Sequence, residues 1–206
     1  MMNLGRGKLG RRINVVGTTG SGKTTMARQL AERLGILHVE MDALNWGPNW
    51  TPAEREVLRE RTAQALVGEA WVIDGNYSSV RDIVWGRADT IVWLDYSLLV
   101  TMMQLTRRTV RRVATKEELW SGNRERWTNF YSRDSILWWG LTTYRRRRRQ
   151  YPVLLAQPEY AYLAVVHLCS PRAAREWLAT VGRAGIDSGS QVRRLGRRGR
   201  AGQAGL

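Results

Sequence analysis

A chain of 206 residues with 43% hydrophobic residues has room for one domain with a full-sized core, plus short tails. Its single cysteine, Cys169, excludes an intramolecular disulfide, and no apolar run is long and uncharged enough to read as a membrane span. The formal charge of +15, from 33 Lys and Arg against 18 Asp and Glu, sets up a field that attracts anions: nucleotides, phosphorylated compounds or nucleic acid.

Residues 1–11 are rich in glycine and arginine, lack the apolar core of a signal peptide, and read as a flexible segment ahead of a domain over 12–181. The expected setting is a reducing cytoplasm, with no membrane partner. Arg12 to Val16 is a short β-branched run with the character of a buried strand. It leads into Gly17-Thr18-Thr19-Gly20-Ser21-Gly22-Lys23-Thr24, which reads G-x-x-x-x-G-K-T, and then into Met26, Ala27, Leu30, Ala31 and Leu34 at helical spacing. A strand, a glycine loop and a helix in that order form a cradle for a triphosphate. The glycines let backbone amides converge, the helix adds its positive N-terminal end, Lys23 reaches the β- and γ-phosphates, and the Thr24 hydroxyl ligates Mg²⁺. Gly17 to Thr25 are therefore the expected nucleotide-binding residues, for ATP or GTP.

Ile36 to Glu40 reads as a second strand, running out into Met41-Asp42-Ala43-Leu44. Thr51-Pro52-Ala53-Glu54 has the grammar of a capping box, so a helix is expected from there to about Val67. Trp71 to Gly75 and Ile91 to Asp95 are two further buried strands with a short helix between them, each ending near an aspartate. A helix over Leu98 to Val113 separates at 100° per residue into an apolar side (Leu99, Met102, Met103, Thr106, Val110, Val113) and a basic side (Arg107, Arg108, Arg111, Arg112). A polar stretch over 114–126 containing Arg124 and Arg126 precedes another helix, which carries Arg145 to Arg149. Ala161 to Leu168 is a fifth strand, and Ser170-Pro171 opens a last helix to about Val181. The Gly/Ser-rich segment from 182 to 206 holds Arg183, Arg193, Arg194, Arg197, Arg198 and Arg200 and reads as a disordered basic tail.

Strands alternating with helices imply an α/β fold, a parallel sheet covered on both faces, in which ligands gather at the carboxyl ends of the strands. Asp42, Asp74 and Asp95 all fall at such ends. Asp74 is the first candidate for the Mg²⁺ shell and Asp95 the second, while a strand-end acid also suits a helix cap. Asp42, near Trp46 and Trp50, is placed either to accept the proton of an acceptor hydroxyl or as a turn residue beside a tryptophan patch. The arginine side of the long helix, with Arg108 and Arg112, reads as a lid that stabilises a transferring phosphoryl group or as a solvated basic face. The run at 145–149 cannot face one way on a helix and reads mainly as solvated. His38 and His167 sit within apolar strands and read as structural, and Cys169 has no assigned role.

These motifs resemble the adenylate-kinase-like branch of small P-loop kinases, and more closely the subgroup labelled DNA topology modulation or flagellar-regulation proteins. The resemblance covers about residues 12 to 181. It rests on G-T-T-G-S-G-K-T-T at 17–25, H-V-E-M-D-A-L-N-W at 38–46, W-V-I-D-G-N-Y-S at 71–78, R-A-D-T-I-V-W-L-D at 87–95 and S-R-D-S at 132–135. It implies a five-stranded nucleoside-monophosphate-kinase-like core, an acceptor region near 42–68, a short lid near 114–126, and an adenine-contacting loop at Ser170-Pro171-Arg172. It also implies that Lys23, Thr24 and Asp74 handle donor phosphates and Mg²⁺, and that Arg108 is a lid-helix arginine. Asn45, Ser78 and Gln104 stand where adenylate kinases carry arginines, with Arg81 a potential substitute. The short lid is more similar to that of shikimate or gluconate kinases, whose acceptors are small hydroxylated metabolites and whose strand-end aspartate matches Asp42. The expected activity is transfer of the ATP γ-phosphate to a small acceptor, with Mg²⁺. The alternative is a nucleic-acid-associated P-loop ATPase or nucleotide switch, with nonspecific nucleic-acid contact through the basic tail.

Overall fold

The computed structural model describes residues 9–125 and 136–182, with side chains described throughout except at 136–143. Most of the expected flexible N-terminal segment, the basic tail from Arg183 onward, Arg126 and the S-R-D-S motif lie outside the described residues. Five strands form one sheet: β1 (Arg12–Gly17), β2 (Leu37–Glu40), β3 (Trp71–Asp74), β4 (Thr90–Leu94) and β5 (Ala164–Leu168). Their order is β2-β3-β1-β4-β5 and every pairing is parallel, which puts all five carboxyl ends on one edge.

Alternate strand residues feed two cores, as the two-residue repeat of a strand requires. Ile13, Val15, Val72, Val92 and Leu94 pack with Met26, Ala27 and Leu30 of α1 (Lys23–Leu34). On the other face Val16, Ile73, Ile91 and Trp93 pack with residues of α3 (Arg55–Ala65), α4 (Arg81–Arg87) and the end of the long α6 (Ile136–Leu155). Asn14 is a buried polar member of β1, donating to Ile73 O at 3.1 Å and accepting from Trp85 Nε1 at 3.0 Å. Both bonds are needed, because a buried amide without partners costs about 1–3 kcal/mol. No helix among the described residues is long and apolar enough to cross a membrane.

Several local expectations shift. Glu40 passes directly into a short helix, α2 (Met41–Asn45), where the sequence reads as the second strand running out into Met41 to Leu44. The capping box does not form: α3 begins at Arg55 with Glu54 as an N-cap making no side-chain bond, because Pro52 pairs with Trp46 in an antiparallel bridge and is held outside the helix. The fifth strand starts at Ala164, since Pro158–Tyr160 form a 3-10 turn and Leu163 N closes on Tyr160 O at 3.0 Å. Helix α7 (Pro171–Thr180) starts as expected, with the Ser170 hydroxyl accepting from Ala173 N at 3.1 Å.

The largest correction concerns α5 (Leu98–Thr115). Its buried residues are Thr101, Leu105, Thr109 and Val113, whereas Leu99 is 71% and Met103 63% exposed. On the helical wheel the inward seam is rotated by about a quarter turn from the middle of the apolar stripe toward Arg112, sharing only Val113 with it, so hydrophobic periodicity misplaced the inward face.

Gly75, just after β3, has φ +143° and approaches α2 so closely that an added Cβ lies 2.5 Å from Met41 Cβ. Gly75→Ala is expected to lose about 1–3 kcal/mol from backbone strain, and more if Met41 cannot move. Denaturant unfolding of the variant measures this, and an unchanged midpoint would show that the turn relaxes freely.

Candidate active site

The loop from Gly17 to Gly22 links β1 to α1 at the carboxyl edge of the sheet. Gly20 has φ +89°, and a Cβ there lies 2.7 Å from Thr101 O and 2.8 Å from Leu105 Cβ, so the loop rests on the inward seam of α5. Ser21 N closes the turn on Thr18 O at 3.0 Å, and Met26 N on Gly22 O at 2.9 Å begins the helix. The base of the loop is clamped by Asn76, which accepts from Gly17 N at 3.2 Å and donates to Gly17 O. Tyr151 OH donates to the same Asn76 Oδ1 at 2.9 Å, tying α6 into the clamp.

Three cations converge on this loop. Lys23 Nζ donates to Thr18 O at 3.1 Å; burial, reinforced by the neighbouring Arg147 charge, lowers its pKa to about 8. Arg147 donates to Gly17 O at 3.4 Å from α6, and burial lowers its pKa as well. Arg108 is likewise lowered by burial, its Nε has no hydrogen-bond partner, and it makes no ion pair among the described residues. Buried cations without carboxylate partners are costly. The arrangement is therefore suited to an anion with several oxygens.

The cation-ligand chemistry lies beside it. Thr24 Oγ1 donates to Asp74 Oδ2 at 2.5 Å, and the other oxygen of that buried carboxylate meets His38 Nε2 at 3.2 Å. A hydroxyl and a carboxylate next to an anion cradle form a hard oxygen donor set, which fits Mg²⁺. Asp95, the second candidate, is instead engaged by His167 at 3.0 Å and Arg148 at 3.4 Å.

Across the crevice, Asp42 in the first turn of α2 accepts from Tyr77 OH at 2.7 Å. Burial first, then the Asp42 charge, pushes the Tyr77 phenol far up, so it remains a donor. The segment over 116–125 closes against the loop after α2: Trp120 Nε1 donates to Glu40 Oε2 at 2.8 Å, and Asn123 holds Gly47 O at 2.8 Å and Trp50 N at 2.9 Å. Trp46, Trp50 and Trp120 meet edge to face, with centroids 5.7 and 6.5 Å apart. Asn49 and Trp50 both have φ +56°, a left-handed conformation that bulky residues rarely adopt, at the point where Asn123 grips the loop.

The crevice encloses about 2280 Å³ and is lined by Lys23, Thr24, Asp42, Asp74, Arg108 and Arg112 among others. Arg112 is already engaged by Glu125 at 3.1 Å and Glu117 at 3.7 Å. Pro171 lines the far end, whereas Arg172 is 83% exposed, pairs with Glu176 and stays outside the lining. Sequence reasoning missed Asn76, Tyr77, Tyr151 and Arg147. The D-G-N-Y-S motif held the first two, and Arg147 was one of five consecutive arginines with nothing local to single it out.

No protein-family model matches this chain, and no curated protein matches it. Among solved structures, a shikimate kinase from Acinetobacter baumannii in complex with shikimate is similar with a TM-score of 0.50 and 16% identity, covering 87% of this chain and 94% of that one. A gluconokinase from Sinorhizobium meliloti 1021 aligns with a TM-score of 0.48 and 20% identity, over 90% of this chain and 99% of that one. The first likeness, together with the parallel five-stranded sheet, establishes a P-loop kinase-like fold.

Proposed function

We propose that this chain is an Mg²⁺-ATP-dependent phosphotransferase that moves the γ-phosphate to a small hydroxyl-bearing or nucleotide acceptor. The observation that carries the reading is the convergence of Lys23, Arg108 and Arg147 on the glycine loop, with the Thr24–Asp74 pair beside it and Asp42 facing it. A crevice of about 2280 Å³ exceeds the roughly 300–1,000 Å³ of an ordinary small-molecule site and so accommodates donor and acceptor together. The Asn76 and Tyr77 contacts give the D-G-N-Y-S motif a structural purpose, which supports membership of the DNA topology modulation subgroup.

Bound Mg²⁺ supplies charge neutralisation at the phosphates, held in this reading by Thr24 and Asp74. His38 fixes Asp74 from behind. Lys23 leaves the Thr18 carbonyl for the donor phosphates, and Arg108 and Arg147 offset charge on the equatorial oxygens. Asp42 orients the acceptor hydroxyl and takes its proton, and Tyr77 holds the carboxylate in place. The 116–125 segment acts as the lid, excluding water by closing on the Trp46–Trp50 loop. Pro171 and Tyr96 flank the space left for the base.

A coupled ADP-release assay with Mg²⁺-ATP across nucleoside monophosphates, deoxynucleotides and hydroxylated metabolites tests the reading, with Lys23→Ala as the blank. Acceptor-stimulated turnover is expected. Slow ATP hydrolysis with no acceptor response would overturn it.

The lowered Lys23 pKa gives a second expected result. In the free protein the folded state binds fewer protons than the unfolded state between pH of about 8 and 10.5, so this group makes stability rise with pH across that window. Phosphate oxygens favour the charged amine, so ATP binding near pH 8.5 takes up a proton. Calorimetry in two buffers of different ionisation enthalpy reads the uptake, and equal apparent enthalpies would remove Lys23 from contact with the phosphates.

A further inference from the structure

A second constellation lies on the same sheet edge, beyond the crevice. In the parallel register of β4 and β5, Trp93 is opposite His167 and Leu94 opposite Leu168, and Asp95 N continues the ladder to Leu168 O at 2.9 Å. Residues two apart in a strand share a face, so Trp93, Asp95, His167 and Cys169 all project to one side. His167 Nε2 lies 3.0 Å from Asp95 Oδ2 and 3.7 Å from Cys169 Sγ, and the three ligand atoms all fall within 4.8 Å of one another.

We propose that Asp95, His167 and Cys169 form a site for a borderline-soft divalent cation, Zn²⁺ by preference, separate from the Mg²⁺ chemistry of Thr24 and Asp74. Tetrahedral zinc bonded at about 2.0–2.3 Å sets ligand atoms about 3.4–3.6 Å apart, and the two His167 separations bracket that spacing. Mixed N, O and S donors select zinc over magnesium, which takes oxygen ligands and retains water.

The ligands are held in orientation. The His167 ring stacks on Trp93 with centroids 4.1 Å apart and planes 15° from parallel. Arg148, itself bonded to Tyr144 OH at 2.9 Å, sits 3.4 Å from Asp95 Oδ1 and leaves Oδ2 turned to the imidazole. Asp95 is buried, His167 is half-buried and Cys169 is exposed, so an ion enters from the thiol side. On binding, the Cys169 thiol releases its proton to solvent and a sulfur–metal bond forms. Carboxylate, thiolate and a divalent ion then sum to zero charge. Three protein ligands leave a fourth position for water. The ion ties the ends of β4 and β5 together next to Tyr96 and Pro171, which line the crevice.

The test uses the full chain, with Zn²⁺ titrated against a chromophoric chelator and Co²⁺ as a spectroscopic probe. Expected are one equivalent of Zn²⁺, a thiolate-to-cobalt charge-transfer band, and protection of Cys169 from thiol reagents by Zn²⁺ but not by Mg²⁺. Cys169→Ser and His167→Gln are each expected to weaken Zn²⁺ binding by at least about 10–100-fold while both remain folded by circular dichroism; in the absence of metal Cys169→Ser melts unchanged, whereas His167→Gln melts lower because it loses the Trp93 stack and the Asp95 bond. Zn²⁺ affinity unaltered in both folded variants would overturn the proposal. So would affinity that falls in His38→Gln and not in His167→Gln, which would put the ion at Asp74.

Discussion

Lys23→Ala is expected to lower acceptor-stimulated turnover by about 10²–10³-fold or to below detection, while the protein remains folded. The chemistry argues for the first part. Lys23 is the mobile cation of the glycine loop, and in the free protein its described bond is to the Thr18 carbonyl, a contact it surrenders to any phosphate that enters. The electrostatics argue for the second. Burial and the Arg147 charge already lower its pKa to about 8, so the amine is a strained tenant of the free fold. Removing it relieves that penalty, and the melting temperature is expected to hold or rise, the usual sign of a site that sacrifices stability for activity. Lys23→Arg is no rescue, because a planar guanidinium does not fit the space of a compact ammonium ion. Turnover by coupled ADP release and melting by differential scanning fluorimetry make the comparison. Activity close to the unaltered protein would remove Lys23 from the reaction, and collapse of the fold would make its role structural.

The parts of this molecule legible in its sequence are those fixed by short-range pattern. The glycine loop needs a strand before it and a helix after it, and Ile13 to Gly17 and Met26 to Leu34 carry both. Position at a strand end only ranks Asp74 above Asp95, and strand parity decides their placement. Asp74 follows Val72 by two residues and so faces α1, where Thr24 waits, whereas Asp95 follows Trp93 and turns to the opposite core and to His167. Longer-range contacts defeated the local rules elsewhere. Thr51-Pro52-Ala53-Glu54 has the composition of a helix start, but the Trp46–Pro52 bridge holds Pro52 outside the helix. On α5 the seam accepts Thr101 and Thr109 while Leu99 and Met103 face outward, so the glycine loop and helix α6, not apolarity, set its rotation. Arg147 was hidden among identical neighbours. Its helix phase is set by Tyr144 and Tyr151, buried at offsets of minus three and plus four on the same face.

Asp42→Asn is expected to lower kcat by about 10²–10⁴-fold with little change in the affinity for nucleotide. Tyr77 OH occupies Asp42 Oδ1 at 2.7 Å, and Oδ2 carries no hydrogen bond among the described residues. The asparagine retains an oxygen for Tyr77, so the local fold survives. What it loses is the negative charge and the ability to take a proton from an acceptor hydroxyl. A mere turn residue predicts a different pattern, since at such a position asparagine is equally acceptable and kcat stays level. Tyr77→Phe separates positioning from proton transfer: freeing Oδ1 loosens the carboxylate without removing it, so a smaller loss is expected, concentrated in the acceptor KM. If Asp42→Asn and Tyr77→Phe both leave kcat and KM intact, Asp42 belongs to the packing beneath the Trp46–Trp50 loop and the base must be sought elsewhere on the crevice wall.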